Sequence, residues 1–243
     1  MIRRFIVFNN SVYLHYMSII IGHRLLEMMP IEHIRSKIEG ELFDYTQLMF
    51  ALSHYSKPRD AVSSLLKRGQ IIRVRKGLYI FGTIWRRNIA APEMLANVIY
   101  GPSAISLEYC LSWHGLIPER VNTITSVTTG RSHDFYTPAG NFSYTHLSDN
   151  RFSVGLIQHK TPSGNFIIAE PLKALTDKVW TDKRFKPTSV ASYSDYIFKD
   201  LRIDENVLET LLKYDRMVVI EKAYSARKVS WLMEYLTKHF KFK

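Results

Sequence analysis

Between Lys57 and Lys76 the chain carries seven Lys or Arg residues, Lys57, Arg59, Lys67, Arg68, Arg73, Arg75 and Lys76, against one acid, Asp60. Ammonium and guanidinium groups at that density bind phosphate oxygens, a contact that holds a nucleic acid without reading its sequence. Ser63 and Ser64 lie in the middle of the stretch. Small hydroxyl side chains permit close approach and offer hydrogen bonds to phosphates or base edges. Such chemistry needs a frame, and the apolar residues between the cations supply one.

Pro58–Arg68 reads as a helix: proline suits the first turn, where its missing N–H costs nothing, and Gly69 suits the stop. On a 3.6-residue wheel Pro58, Ala61, Val62 and Leu65 share a face with Leu66 at its margin. Asp60, Ser63, Ser64 and Lys67 point the opposite way, with Lys57, Arg59 and Arg68 on the flanks. After Gly69 the period becomes two. Ile72 and Val74 face one way, Arg73 and Arg75 the other, and Lys76-Gly77 turns the chain before Leu78–Phe81 returns. Upstream, Ile31–Glu39 has isoleucines at helical spacing and Gly40 where a C-terminal cap belongs; Leu42–Asp44 is extended, and Tyr45–His54 is a second helix capped by Asp44.

Three short helices and a hairpin make a winged helix-turn-helix, whose third helix enters the major groove while the wing meets the backbone. The seven cations are then the phosphate contacts, and Ser63, Ser64 and Asp60 the candidates for base edges. Asp60 has a second reading as a complement to the helix dipole. The whole stretch also has one, as a solvated basic face on an ordinary small α+β unit.

Composition agrees with a polyanionic partner. A chain of 243 residues that is 46% hydrophobic can bury a core in one large domain or two ordinary ones. Its formal charge of +11 and pI near 9.6 favour nucleic acid or an acidic membrane surface. The net charge is +2 over residues 1–40, +6 over 41–90, −1 over 91–160 and +4 over 161–243, so the excess is densest around the basic stretch. Cys110 is the only cysteine, which excludes an intrachain disulfide and a Cys-rich zinc site and fits a buried thiol in a reducing cytosol. The N-terminus imitates a signal peptide, but Asn9, Asn10, His15 and Arg24 break its apolar run. No stretch approaches the roughly 18–20 apolar residues of a spanning helix. A soluble, cytoplasmic protein without a membrane partner is expected. Residues 1–30 read as an N-terminal extension; residues 1–16 fit no element of the frame, and Met17 or Met28 is an alternative start.

Thr83–Ala91, with Trp85-Arg86-Arg87, reads as a connector with a domain boundary near Ala90, giving a DNA-binding domain over 31–90 and a second domain over 91–243. Helices are expected at Pro92–Ile99 and at Ser106–His114, the latter capped by Ser106 and closed by Gly115. Extended segments follow at Thr123–Thr128, Asp134–Thr137, Phe142–Leu147, Phe152–Ile157 and Phe166–Ala169, separated by TGRS, TPAG, SDN and TPSG turns. From Glu170 the pattern is helical: Pro171–Trp180, Ser192–Leu201, Asp204–Lys213 and Ala226–Phe240, the last with a core stripe of Val229, Leu232, Met233, Leu236 and Phe240. The expected fold class is α+β: an N-terminal winged helix-turn-helix, then a mixed α/β domain with a mainly antiparallel sheet and a helical C-terminal part.

Enzymatic chemistry has thinner support. His114, His133, His146 and His159 form no H-x₃-H or HExxH pair, so no metal site is expected. Asp134, Glu170 and Lys173 are the residue types of a nuclease, acids for Mg²⁺ and a lysine for developing phosphate charge. Their plainer reading is helix N-terminal charge for Glu170 and a solvated turn for Lys173. There is no P-loop, G-x-S-x-G or dinucleotide fingerprint, and TTGRSHD holds a single glycine. The expectation is a non-enzyme without cofactor or metal.

Three patches recur in an order that points to a family. LLKRGQIIRVRKGLYIFG, from Leu65, combines a leucine-rich helix, a glycine, a basic ribbon and Gly-x-Tyr. GPSAISLEYCLSWHGLIPERVNTITSVTT, from Gly101, is a Ser-led helix ending in His-Gly-Leu and followed by a strand; IIAEPLKALTDKVW, Ile167–Trp180, is a helix around Lys173, Ala174, Leu175 and Asp177. Together they resemble the AbiEi-like family, the winged-helix antitoxins of type IV toxin–antitoxin (abortive infection) systems. The resemblance implies a transcriptional autorepressor that binds double-stranded DNA of its own promoter region. It also implies a C-terminal antitoxin domain that counteracts a nucleotidyltransferase-like toxin, with no direct complex required. Two other functions stand beside it: a nucleic-acid-directed nuclease, and a plain winged-helix regulator with a ligand-sensing or oligomerisation domain.

Overall fold

A computed structural model describes residues 30–88, 91–161 and 164–241. The N-terminal extension, the boundary expected at Ala90 and the centre of the TPSG turn therefore lie outside the described residues. The chain is an α+β protein that divides into two compact units between Arg87 and Asn88.

In the first unit α1 (Pro30–Lys37), β1 (Leu42–Asp44), α2 (Tyr45–Ala51) and α3 (Pro58–Lys67) precede β2 (Ile71–Arg75) and β3 (Leu78–Phe81). The ribbon expected from the sequence gains a third strand, because Leu42–Asp44 pairs antiparallel with β3 to give the order β1-β3-β2. Ile31, Ile34, Leu48, Leu52, Val62 and Leu65 bury against Phe43 and Phe81, so all three helices share one core with the sheet. Asp44 caps α2 as expected. Its carboxylate accepts the Gln47 N–H at 2.8 Å, and the Gln47 side chain accepts the Asp44 N–H at 2.9 Å, a reciprocal capping box.

Two helix ends differ from the sequence reading. α2 stops at Ala51, short of His54, and α1 stops at Lys37 without Gly40 entering the left-handed region. Arg35 instead ties down the segment that follows the helix. Its guanidinium donates to the carbonyls of Glu39 (3.0 Å) and Gly40 (3.2 Å), pairs with Glu41 at 3.1 Å and lies 4.2 Å from the Phe81 ring centre. Trp85-Arg86-Arg87 is not a free connector. Trp85 packs on the first unit's core, Arg86 Nε donates to the Phe81 carbonyl at 2.9 Å, and the Arg87 N–H donates to Glu41 at 3.1 Å.

The stop after α3 is a Schellman motif: the Gly69 N–H reaches the Leu66 carbonyl and the Gln70 N–H that of Leu65, with Gly69 at φ +65°. Gly82 closes against this turn, its N–H donating to the Gln70 carbonyl at 2.8 Å. A Cβ on Gly82 would stand 1.9 Å from the Gly69 carbonyl oxygen. Since backbone is what it would strike, Gly82→Ala is expected to destabilise this unit by about 1–3 kcal/mol. Thermal unfolding followed by circular dichroism tests this, and a variant melting with the wild type would refute it.

His33 is buried beside the His54 ring, with centroids 4.0 Å apart. Burial, then His54 and Lys37, lower its pKa from the ordinary 6.5. The unfolded imidazole protonates near about 6.5 and the folded one only at lower pH. Below that value the unfolded state binds more protons, so stability falls as pH falls. The urea midpoint should drop between about pH 7.5 and 5.5, and drop less in His33→Phe. Identical pH profiles for the two proteins would contradict this account.

The second unit contains α4 (Pro92–Ile99), β4 (Ser103–Ile105), α5 (Leu107–Trp113), β5 (Ile124–Thr128), β6 (His133–Thr137), β7 (Gly140–His146), α6 (Asp149–Phe152), β8 (Leu156–Thr161) and β9 (Gly164–Ala169). Helices α7 (Pro171–Thr181), α8 (Ser192–Asp195, continued by a π-helical turn to Asp200), α9 (Glu205–Leu211), α10 (Tyr214–Tyr224) and α11 (Arg227–His239) follow. Six strands form one sheet in the order β6-β7-β5-β4-β9-β8. The sheet is mixed, since β7 pairs with β5, and β4 with β9, in parallel, and the other three pairings are antiparallel. Phe152 ends a helical turn and does not begin a strand, which starts at Leu156. α4 lies on β4, β5 and β9, held by the Tyr144 hydroxyl donating to the Ala96 carbonyl at 2.6 Å. Four residues of the stripe on α11 are core, Val229, Leu232, Met233 and Leu236, whereas Phe240 follows the helix as its C-cap and is half-buried. Among the described residues no helix is long and apolar enough to cross a membrane.

Candidate nucleic-acid interface

α3 turns Val62 and Leu65 inward, which leaves its other side to solvent. Lys57, Arg59, Asp60, Ser63, Lys67 and Arg68 are all exposed, and Ser64 is half-buried. Ser63 Oγ donates to the Arg59 carbonyl one turn back at 3.1 Å, so its proton is already committed and the oxygen is free to accept.

The ribbon departs from strict alternation. Arg73 opposes Tyr79 and Arg75 opposes Leu78, so Val74 is an extra residue and β2 bulges there. The buried pair is therefore Ile71 and Val74, with Ile72 only half-buried, and the expected Ile72/Val74 face is corrected. Arg73, Arg75 and Lys76 remain exposed around the turn at Gly77. The tip is tied down by the Tyr45 N–H, which donates to the Gly77 carbonyl at 3.0 Å and fixes the ribbon against the start of α2. Lys57, Arg59, Lys67, Arg68, Arg73 and Lys76 have no ion pair among the described residues, which leaves six cations available to an external anion.

The second unit disperses the nuclease constellation. Asp134 is exposed on β6 at one edge of the sheet, whereas Glu170 follows β9, four strand spacings or about 19 Å away. Glu170 sits at the N-cap of α7 and is held by a two-point pair with Arg216 at 2.8 and 2.9 Å. Lys173 is not on a solvated turn: it is fully buried in α7. Its ammonium meets the Asp177 carboxylate and donates to the Tyr224 hydroxyl at 2.9 Å, and that hydroxyl in turn donates to Asp177. Asp177 also accepts from Ser106 Oγ at 2.6 Å, so Ser106 stands at the N-cap of α5 but spends its hydroxyl on the core and not on the helix. Burial lowers the Lys173 pKa and Asp177 draws it back upward. Cys110 beside them is buried, its thiol pushed well above the ordinary value by burial.

Sequence reasoning missed this cluster. The four-residue spacing of Lys173 and Asp177 is the one signal it left, and that spacing is common on solvated helix faces. Of the four histidines weighed as ligands, His114 bonds the Ala169 carbonyl at 2.9 Å, and burial lowers its pKa. Among the described residues no group of three or more His, Cys, Asp or Glu side chains is placed to hold a metal ion. Comparison with known proteins found no matching family model and no matching curated sequence.

Proposed function

We propose that the chain is a DNA-binding antitoxin and transcriptional autorepressor, with residues 31–90 acting as a winged helix-turn-helix on its own promoter. The observation that carries this reading is the set of six unpaired, exposed cations on α3 and the β2–β3 ribbon, on helix and strand faces left outward by the core. β1 extends the ribbon into a three-stranded sheet and the Tyr45–Gly77 bond holds its tip, so both elements are braced for a rigid surface. In this reading α3 lies in the major groove and the ribbon follows the adjacent backbone. The antitoxin half rests on the resemblance to the AbiEi-like family, in which a nucleotidyltransferase-like toxin is counteracted without an obligatory complex.

A gel shift with the DNA upstream of the gene, paired with co-expression against the neighbouring gene product, tests both halves. Absence of a shift at low salt sinks the repressor, and no rescue from a toxic nucleotidyltransferase-like neighbour sinks the antitoxin. Ser64→Ala and Asp60→Asn should change preference among operator variants by about 1–3 kcal/mol where a base contact is lost. Binding profiles over a substituted operator that match the wild type would remove those residues from the reading surface.

A further inference from the structure

A groove of about 500 Å³ in the second unit is lined by Trp180, Phe185 and Trp231, with Lys183, Lys186 and Arg227 around them. That volume lies within the roughly 300–1,000 Å³ of ligand-holding sites. It forms where the end of α7 and the segment after it meet the first turns of α11. Four basic residues line it, Lys183, Lys186, Arg227 and Lys228, against Asp182 alone.

The single acid is already committed. Its carboxylate accepts the Arg184 N–H at 2.9 Å and the Tyr196 hydroxyl at 3.1 Å, and lies 3.6 Å from the Arg184 guanidinium. Lys228 is committed as well, donating to the Asp182 carbonyl at 2.8 Å. Lys183, Lys186 and Arg227 are exposed and have no ion pair among the described residues. Arg227 lies 4.3 Å from the Trp231 ring centre. Three uncompensated cations in one place repel each other unless an anion joins them. Two tryptophans stand half-buried beside them; Trp180 packs on the core with the Arg151 guanidinium 4.0 Å from its ring centre, so Trp231 is the ring offered to a ligand.

Cations that follow a phosphate backbone and rings that stack on bases are together the means by which single strands are held. Bases in a duplex stack on one another and do not reach such rings, and a merely polyanionic partner uses the cations alone. We propose that this groove binds single-stranded nucleic acid, with Trp231 as the base platform and Lys183, Lys186 and Arg227 on the phosphates. The site lies wholly in the second unit and rests on no property of the first.

The test is fluorescence anisotropy of the full chain with labelled oligo(U) and oligo(dT) about eight nucleotides long, within the usual site size of about 4–16. Trp231→Ala should weaken binding about five- to a hundredfold, and Trp231→Phe, which keeps a ring, far less. Lys183→Glu/Lys186→Glu, on exposed positions that folding does not need, should weaken it more than tenfold. A preference for one oligonucleotide assigns the strand as RNA or DNA. Trp231→Ala should leave affinity for duplex promoter DNA unchanged. If Trp231→Ala binds the oligonucleotides as the wild type does, or if poly-glutamate displaces them with equal affinity, the groove is a general anion or acidic-protein surface and the proposal falls. It falls too if neither oligonucleotide binds at low salt. Oligonucleotide binding without duplex binding would overturn the operator reading alone.

Discussion

Replacing Lys173 by methionine is expected to cost the second unit about 3–5 kcal/mol, the usual penalty for removing one partner of a buried ion pair. Asp177 would be left fully buried with only the Tyr224 and Ser106 hydroxyls to meet its charge. At about 2–4 °C per kcal/mol for a unit of this size, the melting temperature should fall by roughly 6–20 °C. The pair is not thereby a large net source of stability, because desolvating both charges offsets much of their attraction. Lys173→Met/Asp177→Leu should therefore recover a substantial part of the loss, limited by two hydroxyls that lose their acceptor. Calorimetry of the wild type and the two variants decides this. A single variant that melts with the wild type would show the ammonium to be solvated, and a double variant worse than the single would show the pair to be indispensable.

The cluster also explains what the family-like patches encode. Lys173, Ala174, Leu175 and Asp177, which carry the third patch, are all buried, and Ser106, which leads the helix of the second patch, bonds Asp177. Gly77-Leu78-Tyr79 of the first patch places Tyr79 inside, stacked on Phe43 at 6.1 Å. The residues that carry the resemblance are thus mostly core residues, which constrain a fold more directly than an activity.

Legibility followed the strength of the local signals. α3 could be read because Pro58 and Gly69 punctuate it and its apolar residues keep one period. β4 could not, since Ser103–Ile105 is three residues long and buried throughout, too short to show alternation. α10 was hidden by its own composition: Met217, Ile220 and Tyr224 face the core, but Val218 and Val219 are exposed and make the run look strand-like. The bulge at Val74 moved the buried position from Ile72 to Ile71, because a one-residue insertion exchanges faces. Lys173 was placed in solvent because lysine almost never buries without partners, and the groups that complete its cluster are remote in sequence: Tyr224 lies 51 positions from Lys173, and Ser106 lies 71 from Asp177. The groove residues at 183–186 and 227–231 were split in the same way. Short-range periodicity carries no information about such meetings.

The ribbon gives the sharpest expectation for the operator complex. If Arg73 and Arg75 each neutralise one phosphate, replacing both by alanine should lower the slope of log K against log salt by about 2. Near about 0.1 M salt each released contact is worth roughly tenfold, so the double variant should bind about a hundredfold more weakly. The loss should be equal for operator and unrelated duplex, since phosphates carry no sequence. It should also shrink as salt rises, because the lost term is counterion release. Both side chains are exposed and the sheet is anchored by Ile71, Val74 and the pairing of β1 with β3, so the variant should fold as the wild type does. Titrations at several salt concentrations separate the possible results. Parallel slopes for wild type and variant would remove the ribbon from the interface and leave α3 to bind alone. A loss confined to the operator would mean that the arginines read base edges, and would move the proposed base contacts from Asp60, Ser63 and Ser64 to the ribbon.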